Sequence, residues 1–393
     1  MIIVDNIERR ITDLGAELCA TVHSDDHRLE NFPVWFRYPA HYHDKISTAA
    51  NAFVAAMILP AMCLGRTLRV EGAVSRKMRE GAQKFMEIMT KWWPAYKPVE
   101  IESAGYSESN QSGQRVGMFF SGGVDSFYTL LKNENSELPL SDKISHLIFV
   151  HGFDIRLDDS NLFDMALAGV QATAREYKKE VVPVATNLRQ FSDDIIDWRT
   201  YHGTAMISVA LGIDTLLRRI YIAADHTYEN LFPRGSHPLT DPLWATESMD
   251  IVHDGCEAGR VEKILWQVGK SQVALDNIRV CWENRLGRYN CGICEKCVRT
   301  MLNLEAAGVL ERCLAFRGKL RYSDVRNLRV DDIHTRAFAE ENYRTLVAAG
   351  ADPRLIKALR TALSPWSPYR RRKLFHKLEK RLKSALKIRR RKV

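Results

Sequence analysis

Residues 121–126, Ser-Gly-Gly-Val-Asp-Ser, are of types that can hold phosphate. They follow the apolar run 116–120, an order that predicts a buried strand, a glycine-rich turn and a helix. Two glycines let the backbone approach an anion closely, and successive N–H groups can point at it. Asp125 and Ser126 fall in the first helical turn, where the helix dipole favours negative charge. Because no lysine follows the glycines, this is not the GxxxxGK[ST] loop. The alternative interpretation of this string is that it is a Gly-Gly turn that occurs by chance and binds no phosphate.

Four cysteines have the spacing of metal ligands, C-x9-C-x2-C-x2-C: Cys281, Cys291, Cys294 and Cys297. Two-residue gaps let neighbouring thiolates converge on one ion, and Gly292 relaxes the tight loop between the first close pair. Four thiolates fit tetrahedral Zn²⁺, with Zn–S distances of about 2.3 Å. An iron–sulfur cluster can also be held by four cysteines. The third interpretation of the four cysteines is that they are buried thiols that bind no metal. A site with four protein ligands is closed, so we expect it to be structural and to hold a loop that caps the phosphate site.

The secondary-structure elements that must position these residues begin at Arg115. From there on, short apolar runs alternate with segments in which apolar residues have helical spacing. Candidate strands are 115–120, 147–150, 181–186 and 220–224, and candidate helices are 125–134, 161–178 and 203–217. Continuous apolar strands between helices predict a parallel sheet with helices on both faces. Ligands of such sheets bind beyond the carboxyl ends of the strands. If the bound phosphate is that of a nucleotide, His151 and Phe153 there are predicted to form the wall for its adenine and ribose.

The rest of the chain is predicted to form separate parts. Residues 1–110 are expected to be a small α+β module, with a helix over 45–64 and another over 75–93, before a Ser/Gly/Gln-rich linker at 103–114. Residues 111–317 are expected to be the α/β domain that carries the phosphate loop, with the metal loop at 281–297. A helical extension at 318–365 and a basic tail at 366–393 complete the prediction.

The phosphate loop and the cysteines, taken together and in this order, resemble the QueC-like branch of the PP-loop ATP pyrophosphatases, the 7-cyano-7-deazaguanine synthases. Two further positions are similar to that family: Arg299, two residues after the last metal cysteine, and the Arg260-Val261-Glu262 string before the first. The likeness covers about residues 115–312. It implies a Rossmann-like fold of the HUP, or adenine nucleotide alpha hydrolase-like, type.

The resemblance also implies a reaction. A carboxylate or amide oxygen attacks the α-phosphorus of ATP and pyrophosphate leaves. Ammonia then displaces AMP from the adenylated carboxylate to give an amide, whereas the adenylated amide loses AMP and a proton to give a nitrile. Residues 121–126 would bind the pyrophosphate, with Asp125 holding Mg²⁺. Asp125, Ser126, Arg260 and Lys263 would be catalytic, although a solvated helix face explains Arg260 and Lys263 equally well. The expected cofactors are ATP, Mg²⁺ and Zn²⁺.

The resemblance fails at the substrate loop. The family has a YPDCR-like string after the fourth strand, where this chain has Gly-Ser-His-Pro-Leu-Thr-Asp-Pro-Leu at 235–243. The activation chemistry can therefore be shared while the acceptor differs. His237 and Asp241 in this loop, and residues 225–228 before it, are candidates for substrate contacts. His202 and Cys256 are further candidates, with a structural histidine and a buried thiol as the alternatives.

Charge in this chain is concentrated at one end. The formal net charge is +9, but residues 366–393 carry 13 Lys or Arg and one acidic residue, so the other 365 residues sum to −3. Apolar residues recur at helical spacing in this basic stretch, which predicts an amphipathic helix. It could bind an anionic membrane surface, RNA or DNA, or a protein partner, or it could be a solubilising tail.

Composition favours the cytoplasm, with peripheral attachment to a membrane as an option. The eight cysteines come with no visible signal peptide. The longest apolar stretch, 52–64, has 13 residues, so no transmembrane span is expected.

Two other functions remain open at this stage. One is a PP-loop tRNA-modifying sulfurtransferase, although no cysteine outside the cluster lies in a sulfur-transfer motif. The other is a QueC-like component that modifies a protein terminus within a multi-protein system. The acid substrate could accordingly be a small molecule or the end of a protein.

Overall fold

The computed structural model describes residues 1–107, 113–316, 318, 320–375 and 378–379. Contacts divide the chain into two compact units, Met1–Gly259 and Arg260–Val393. Most of the predicted amphipathic helix of the basic tail lies outside the described residues.

The first unit is built on one sheet of ten strands within the described residues. They are β1 (Ile2–Thr12), β2 (Gly15–Ser24), β3 (Phe32–Tyr38), β4 (Leu68–Val74), β5 (Ile101–Tyr106), β6 (Arg115–Phe119), β7 (His146–His151), β8 (Glu180–Thr186), β9 (Leu217–Ala223) and β10 (Asp250–Asp254). The spatial order is β10-β9-β6-β7-β8-β3-β2-β1-β4-β5. The fold is thus α/β with a mostly parallel sheet, as the sequence predicts at this coarser level.

One half of this sheet is parallel throughout and has doubly wound order. From the middle of the sheet outward to its edge, β8, β7, β6, β9 and β10 are joined by parallel pairings. Numbered in chain order from β6, these strands have the spatial order 3-2-1-4-5, which is that of a doubly wound sheet. The order reverses between β6 and β9, so the crevice for a ligand is expected outside the carboxyl ends of these two strands.

The N-terminal strands extend the same sheet. An antiparallel pairing of Phe36 in β3 with Thr186 in β8 joins the two halves, and β1 pairs antiparallel with β2 and parallel with β4. The structure thus divides the chain at residue 259, whereas the sequence predicts a boundary near residue 110. Backbone hydrogen bonding across β3 and β8, which sequence periodicity does not reveal, is the physical reason.

Helices α1 (Asn51–Leu64) and α2 (Arg76–Trp92) follow the N-terminal strands, and α3 (Val124–Glu134), α4 (Ser160–Glu176), α5 (Leu188–Ser192) and α6 (Trp198–Leu211) connect the parallel ones. The predicted helix over 45–64 is present as α1, and its residues 51–62 are all buried; it starts six residues later than predicted, after a 3₁₀ helix at Ala40–Lys45. Among the described helices, none has the length and apolar character needed to cross a membrane.

The second unit is helical in its described part. Its helices are α7 (Arg260–Trp266), α8 (Gln272–Asn277), α9 (Glu295–Ala306), α10 (Tyr322–Arg326), α11 (Ile333–Ala348) and α12 (Pro353–Leu363). Helix α9 packs against α7 and α11, and α12 packs against α10 and α11. The metal-site cysteines lie immediately before and within the first turn of α9, except Cys281, which follows α8.

Candidate functional site

The predicted phosphate loop joins β6 to α3, as strand, turn and helix N-terminus. Gly122 has a φ of +74°, a left-handed conformation that favours glycine. Gly123 is the N-cap residue of α3 and, lacking a side chain, offers the first-turn N–H groups no acceptor. The N–H of Gly123 donates to Oγ of Ser121 at 3.3 Å, and Oγ of Ser126 donates to the carbonyl of Gly123 at 3.0 Å. The two serines therefore fix the turn from either side.

The location of this loop follows from the sheet order. Strand β6 lies between β7 and β9, and the loop leaves its carboxyl end at the point where the strand order reverses. Ser121 is exposed, Asp125 is partly exposed and Ser126 is buried. A ligand at this edge could thus reach the turn and the start of the helix without any rearrangement of β6.

The predicted adenine wall at the end of β7 is only partly available to a ligand. The ring of His151 stacks on Phe163, with centroids 4.1 Å apart, and its Nε2 lies 2.7 Å from the carbonyl oxygen of Arg156. Burial lowers the pKa of His151. Phe153 is 8% exposed and packs against Trp198, so its ring contributes little surface. Contact with a nucleotide remains a prediction for both residues.

A pocket opens at the carboxyl ends of the neighbouring strands β9 and β10; we call it the edge pocket. Its enclosed space is about 10 Å³, room for roughly one water molecule. Polar residues from the β9–β10 connection and from β10 dominate its lining: Asp225, His226, Arg234, Ser236, His237 and His253. The sequence pointed to Asp225, His226 and His237, whereas His202, another candidate, does not line this pocket.

Asp241, predicted as a substrate contact, instead lies behind the edge pocket and holds it together. It is 1% exposed. Its Oδ2 accepts a hydrogen bond from Ser236 at 2.6 Å and lies 2.7 Å from Nδ1 of His253, while Oδ1 accepts from the backbone N–H of His237 at 3.1 Å. One carboxylate therefore fixes the turn at 236–237 and the orientation of the His253 ring.

Close backbone contacts set the position of the loop that carries Ser236 and His237. A Cβ placed on Gly203, in α6, would lie 1.9 Å from the carbonyl oxygen of Gly235. A Cβ on Gly81, in α2, would lie 1.7 Å from the carbonyl oxygen of Leu243. Backbone atoms cannot move aside as a flexible side chain can, so only glycine fits at either position.

We expect Gly203→Ala to destabilise the protein by about 1–3 kcal/mol, because the added methyl group forces α6 and the loop apart. Thermal unfolding of the two proteins measures this. Gly72→Ala is a milder control, since its Cβ would meet the Ala50 Cβ at 3.1 Å. An unchanged melting temperature for Gly203→Ala would show that the loop is not held by this contact.

The four cysteines converge as the spacing predicts. All are buried, and their sulfur atoms lie within 4.8 Å of one another. The Cys281–Cys294 and Cys291–Cys297 sulfur pairs are each 3.9 Å apart, close to the roughly 3.8 Å edge of a tetrahedron with Zn–S bonds of about 2.3 Å. Gly292 has a φ of +72°, which confirms the need for glycine in this turn. The set could hold one metal ion such as zinc.

Hydrogen bonds around the sulfurs favour thiolate ligands. The N–H of Cys294 points to Sγ of Cys291 at 3.3 Å, and the N–H of Cys297 points to Sγ of Cys294 at 3.4 Å. Backbone donors to two of the sulfurs suit a metal site, because each cysteine ligand must be deprotonated and its negative charge stabilised.

Asn290 is a supporting residue that the spacing did not reveal. Its Oδ1 accepts from the N–H groups of Val280 and Cys281, at 2.9 and 3.3 Å. Its Nδ2 donates to the carbonyls of Ile278 and Ala315, at 2.8 and 3.2 Å. A single side chain thus ties the segment carrying the first ligand to the turn carrying the other three.

We expect Asn290→Ala to lower metal affinity by about 10–100-fold, the usual cost of losing a residue that orients a ligand. Competition with a chromophoric chelator measures the affinity. Asn277→Ala, which removes a single hydrogen bond to Val273 at 2.9 Å in the same unit, should bind metal as the parent does. Equal metal affinities for the parent protein, Asn290→Ala and Asn277→Ala would show that Asn290 does not support the metal centre.

Arg260 and Lys263 lie on α7 in the second unit and are 6% and 1% exposed. The alternative reading of a solvated helix face is therefore wrong for both. The Arg260 guanidinium lies over the ring of Phe338 at 4.8 Å, and that of Arg299 lies over the same ring at 4.0 Å. Arg299 also pairs with Glu295 at 3.2 Å. Their predicted part in neutralising phosphate charge stays a prediction.

Comparisons with known proteins yield no relative: no family model, no curated protein and no solved structure matches this chain.

Proposed function

We propose that this protein is a QueC-like, ATP-dependent enzyme of the PP-loop class that adenylates a carboxylate or amide and then installs nitrogen. The observation that carries the proposal is the position of the Ser-Gly-Gly-Val-Asp-Ser turn. It leaves the central strand β6 at the reversal of a doubly wound order, with a helix N-terminus behind it. Anions favour such a position. The finer fold class, HUP-like, belongs to the same proposal.

The proposed part of each loop residue follows from charge. Pyrophosphate leaves with negative charge that must be neutralised and held in line with the attacking oxygen. The N–H groups at 122–124 and the hydroxyls of Ser121 and Ser126 would be the donors for it, with the Gly123 N–H and the Ser126 hydroxyl leaving the hydrogen bonds that they make within the turn. The Asp125 carboxylate suits Mg²⁺, which takes one or two carboxylates together with phosphate oxygens and water. When bound, Mg²⁺ supplies further charge neutralisation to the phosphates.

We further propose that the ion at the four cysteines is structural Zn²⁺. Four thiolates fill a tetrahedral site and leave no position for a substrate. The centre would then stabilise the turn at 290–297 and the start of α9 rather than take part in the reaction. A cytoplasmic location and binding of the basic tail to a membrane, RNA or a protein partner stay proposals from the sequence.

Exchange of labelled pyrophosphate into ATP tests the proposed chemistry. The zinc-loaded protein is incubated with fractions of a metabolite extract, and we expect exchange only in fractions that contain the acid substrate. Release of AMP in a fraction without exchange would point to hydrolysis instead. Sulfur incorporation into a tRNA that copurifies with the protein would favour the sulfurtransferase alternative and contradict the proposal.

A further inference from the structure

The basic tail begins with a helix that is fixed to the second unit. Residues 368–375 are helical. Nη2 of Arg370 donates to the carbonyl oxygen of Val330 at 3.0 Å. Nζ of Lys373 lies 2.5 Å from Oδ2 of Asp331. These contacts hold one side of the helix against the segment that precedes α11.

Another face of this helix is apolar and exposed. Leu374, Phe375 and Leu378 are 56%, 64% and 45% exposed. Together with Arg371, which is also exposed, they have the spacing i, i+3, i+4 and i+7 of one helix face. An apolar face of this kind normally packs against a core, whereas here it is available to a partner.

An exposed tryptophan lies in the turn just before the helix. Trp366 is 78% exposed. A single exposed apolar side chain is ordinary in a folded protein, but four of them between residues 366 and 378 are a concentration typical of interaction sites. We call Trp366, Leu374, Phe375 and Leu378 the exposed tail residues.

The segment that carries the exposed tail residues is strongly basic. Residues 370–373 are all Lys or Arg, and Arg371, Arg372 and Lys373 are exposed. Residues 366–393 carry 13 Lys or Arg against one acidic residue. An apolar face in so basic a segment complements a surface that is anionic outside and apolar beneath, as the surface of a membrane with acidic lipids is.

The two exposed leucines distinguish a membrane from a nucleic acid. Phosphates attract Lys and Arg, and bases stack on aromatic rings, but neither offers an apolar environment to Leu374 or Leu378. The outer acyl region of a bilayer accepts leucine and phenylalanine, while tryptophan favours the level of the headgroups. Since Arg370 and Lys373 hold one side of the helix, a flat surface also fits it better than a partner that encloses it.

We propose that the tail binds the surface of an anionic lipid membrane. The helix lies in the plane of the interface, with Leu374, Phe375 and Leu378 in the outer acyl region. Trp366 lies at the level of the headgroups, and Arg371 reaches their phosphates with its carbon stem along the apolar surface. This inference goes beyond the proposed function and does not depend on it.

Cosedimentation with vesicles tests the proposal on the zinc-loaded full-length protein without ATP. One set of vesicles contains phosphatidylcholine mixed with phosphatidylglycerol, and the other contains phosphatidylcholine alone. We expect binding to the anionic vesicles, little binding to the neutral ones, and weaker binding as the salt concentration rises. Equal binding to both sets would overturn the proposal.

A double variant separates the apolar contribution from the charge. Leu374→Gln combined with Phe375→Gln leaves every charge in place and should weaken binding to the anionic vesicles by at least about 10-fold. Leu314→Gln alters a leucine that is 65% exposed in the same unit and should bind as the parent does. Because all three side chains are exposed, the melting temperatures should not change. Undiminished vesicle binding by the double variant would overturn the proposal.

A single charge variant tests the part of the arginine on the apolar face. Arg371→Gln should weaken binding to the anionic vesicles by about 5-fold, the effect of one basic residue near the headgroups. The matched control is Arg156→Gln in the first unit, which alters an arginine that is 81% exposed and paired with Asp158; it should bind as the parent does. A loss of the same size in both variants would show a response to net charge alone and would contradict the proposal.

Tryptophan fluorescence tests the position of Trp366. The chain has eight tryptophans, so the variant Trp366→Phe identifies the contribution of this one. Bromine on the acyl chains quenches tryptophan fluorescence on contact, and we expect brominated anionic vesicles to quench the parent more strongly than Trp366→Phe. Equal quenching of the two proteins would contradict the placement of Trp366 at the interface.

A duplex RNA tests the nucleic-acid alternative. We expect RNA to be a poor competitor of the anionic vesicles for the parent protein. If RNA displaced the parent from the vesicles and bound the Leu374→Gln, Phe375→Gln double variant equally well, the tail would be a nucleic-acid site and the proposal would be overturned.

Discussion

Replacing Asp125 by asparagine is expected to reduce pyrophosphate exchange into ATP by at least about 10²-fold, since a catalytic metal ion supplies several kcal/mol of charge stabilisation. Asparagine keeps the size of the side chain and removes its charge. The change therefore weakens the proposed Mg²⁺ site without emptying space in the first turn of α3. Exchange is measured with labelled pyrophosphate, saturating ATP and an active metabolite fraction.

The control for Asp125→Asn is a carboxylate beyond the other end of the same helix. Glu137 is exposed just after α3, and Glu137→Gln should exchange at the parental rate. Both proteins should keep their metal content and melting temperature, because neither residue belongs to the second unit or to the buried core. If Asp125→Asn exchanged pyrophosphate at the parental rate, the loop at residues 121–126 would not be part of the proposed ATP site.

Replacing Cys281 by serine is expected to abolish stoichiometric metal binding and to destabilise the second unit strongly. Apparent binding free energies of structural Zn²⁺ sites are about 10–16 kcal/mol, and most of that is folding free energy. Cys281 is 1% exposed and belongs to a cluster of four cysteines, so a hydroxyl at this position leaves three buried thiols without their fourth partner. Metal analysis and thermal unfolding measure the two effects.

Cys313→Ser is the matched control for Cys281→Ser. Cys313 is buried in the same unit, and its Sγ donates to the carbonyl of Leu275 at 3.0 Å, a bond that a serine hydroxyl can keep. This variant should retain one metal ion per chain. A chelator should reproduce the behaviour of Cys281→Ser in the parent protein. If the chelated parent melted like the metal-loaded one, the cysteines would not form a structural metal centre.

The parallel half of the sheet was predictable because its strands are continuous apolar runs. The strands predicted over 115–120 and 181–186 correspond closely to β6 and β8, and the helix predicted over 125–134 corresponds to α3. Strand β10 was not predicted from the sequence. Its range, Asp250–Asp254, contains only two apolar residues between polar or charged ones, which is too short a pattern to show the period of a strand or of a helix. Helix α6 starts at Trp198 and ends at Leu211, earlier at both ends than predicted.

The site was predictable only where spacing along the chain is short. Cysteines separated by only two residues are close together in most local conformations. The sequence was therefore sufficient to predict that three of the four cysteines, Cys291, Cys294 and Cys297, lie in one cluster. Arg234 and His253 line the same pocket, although a long connection without periodicity separates them in the chain. Their positions depend on the close contact of Gly203 with Gly235 and on the pairing of β10 with β9. Tertiary contacts of this kind leave no local pattern to find.

The most direct test of the central claim is the identity of the nucleotide products formed from ATP labelled at the α-phosphate. The zinc-loaded protein is supplied with Mg²⁺ and an acid-containing metabolite fraction, and the products are separated by chromatography. Cleavage between the α- and β-phosphates predicts labelled AMP and an equal amount of pyrophosphate, both absent with Asp125→Asn. Labelled ADP with inorganic phosphate, or no turnover in any fraction, would contradict the account.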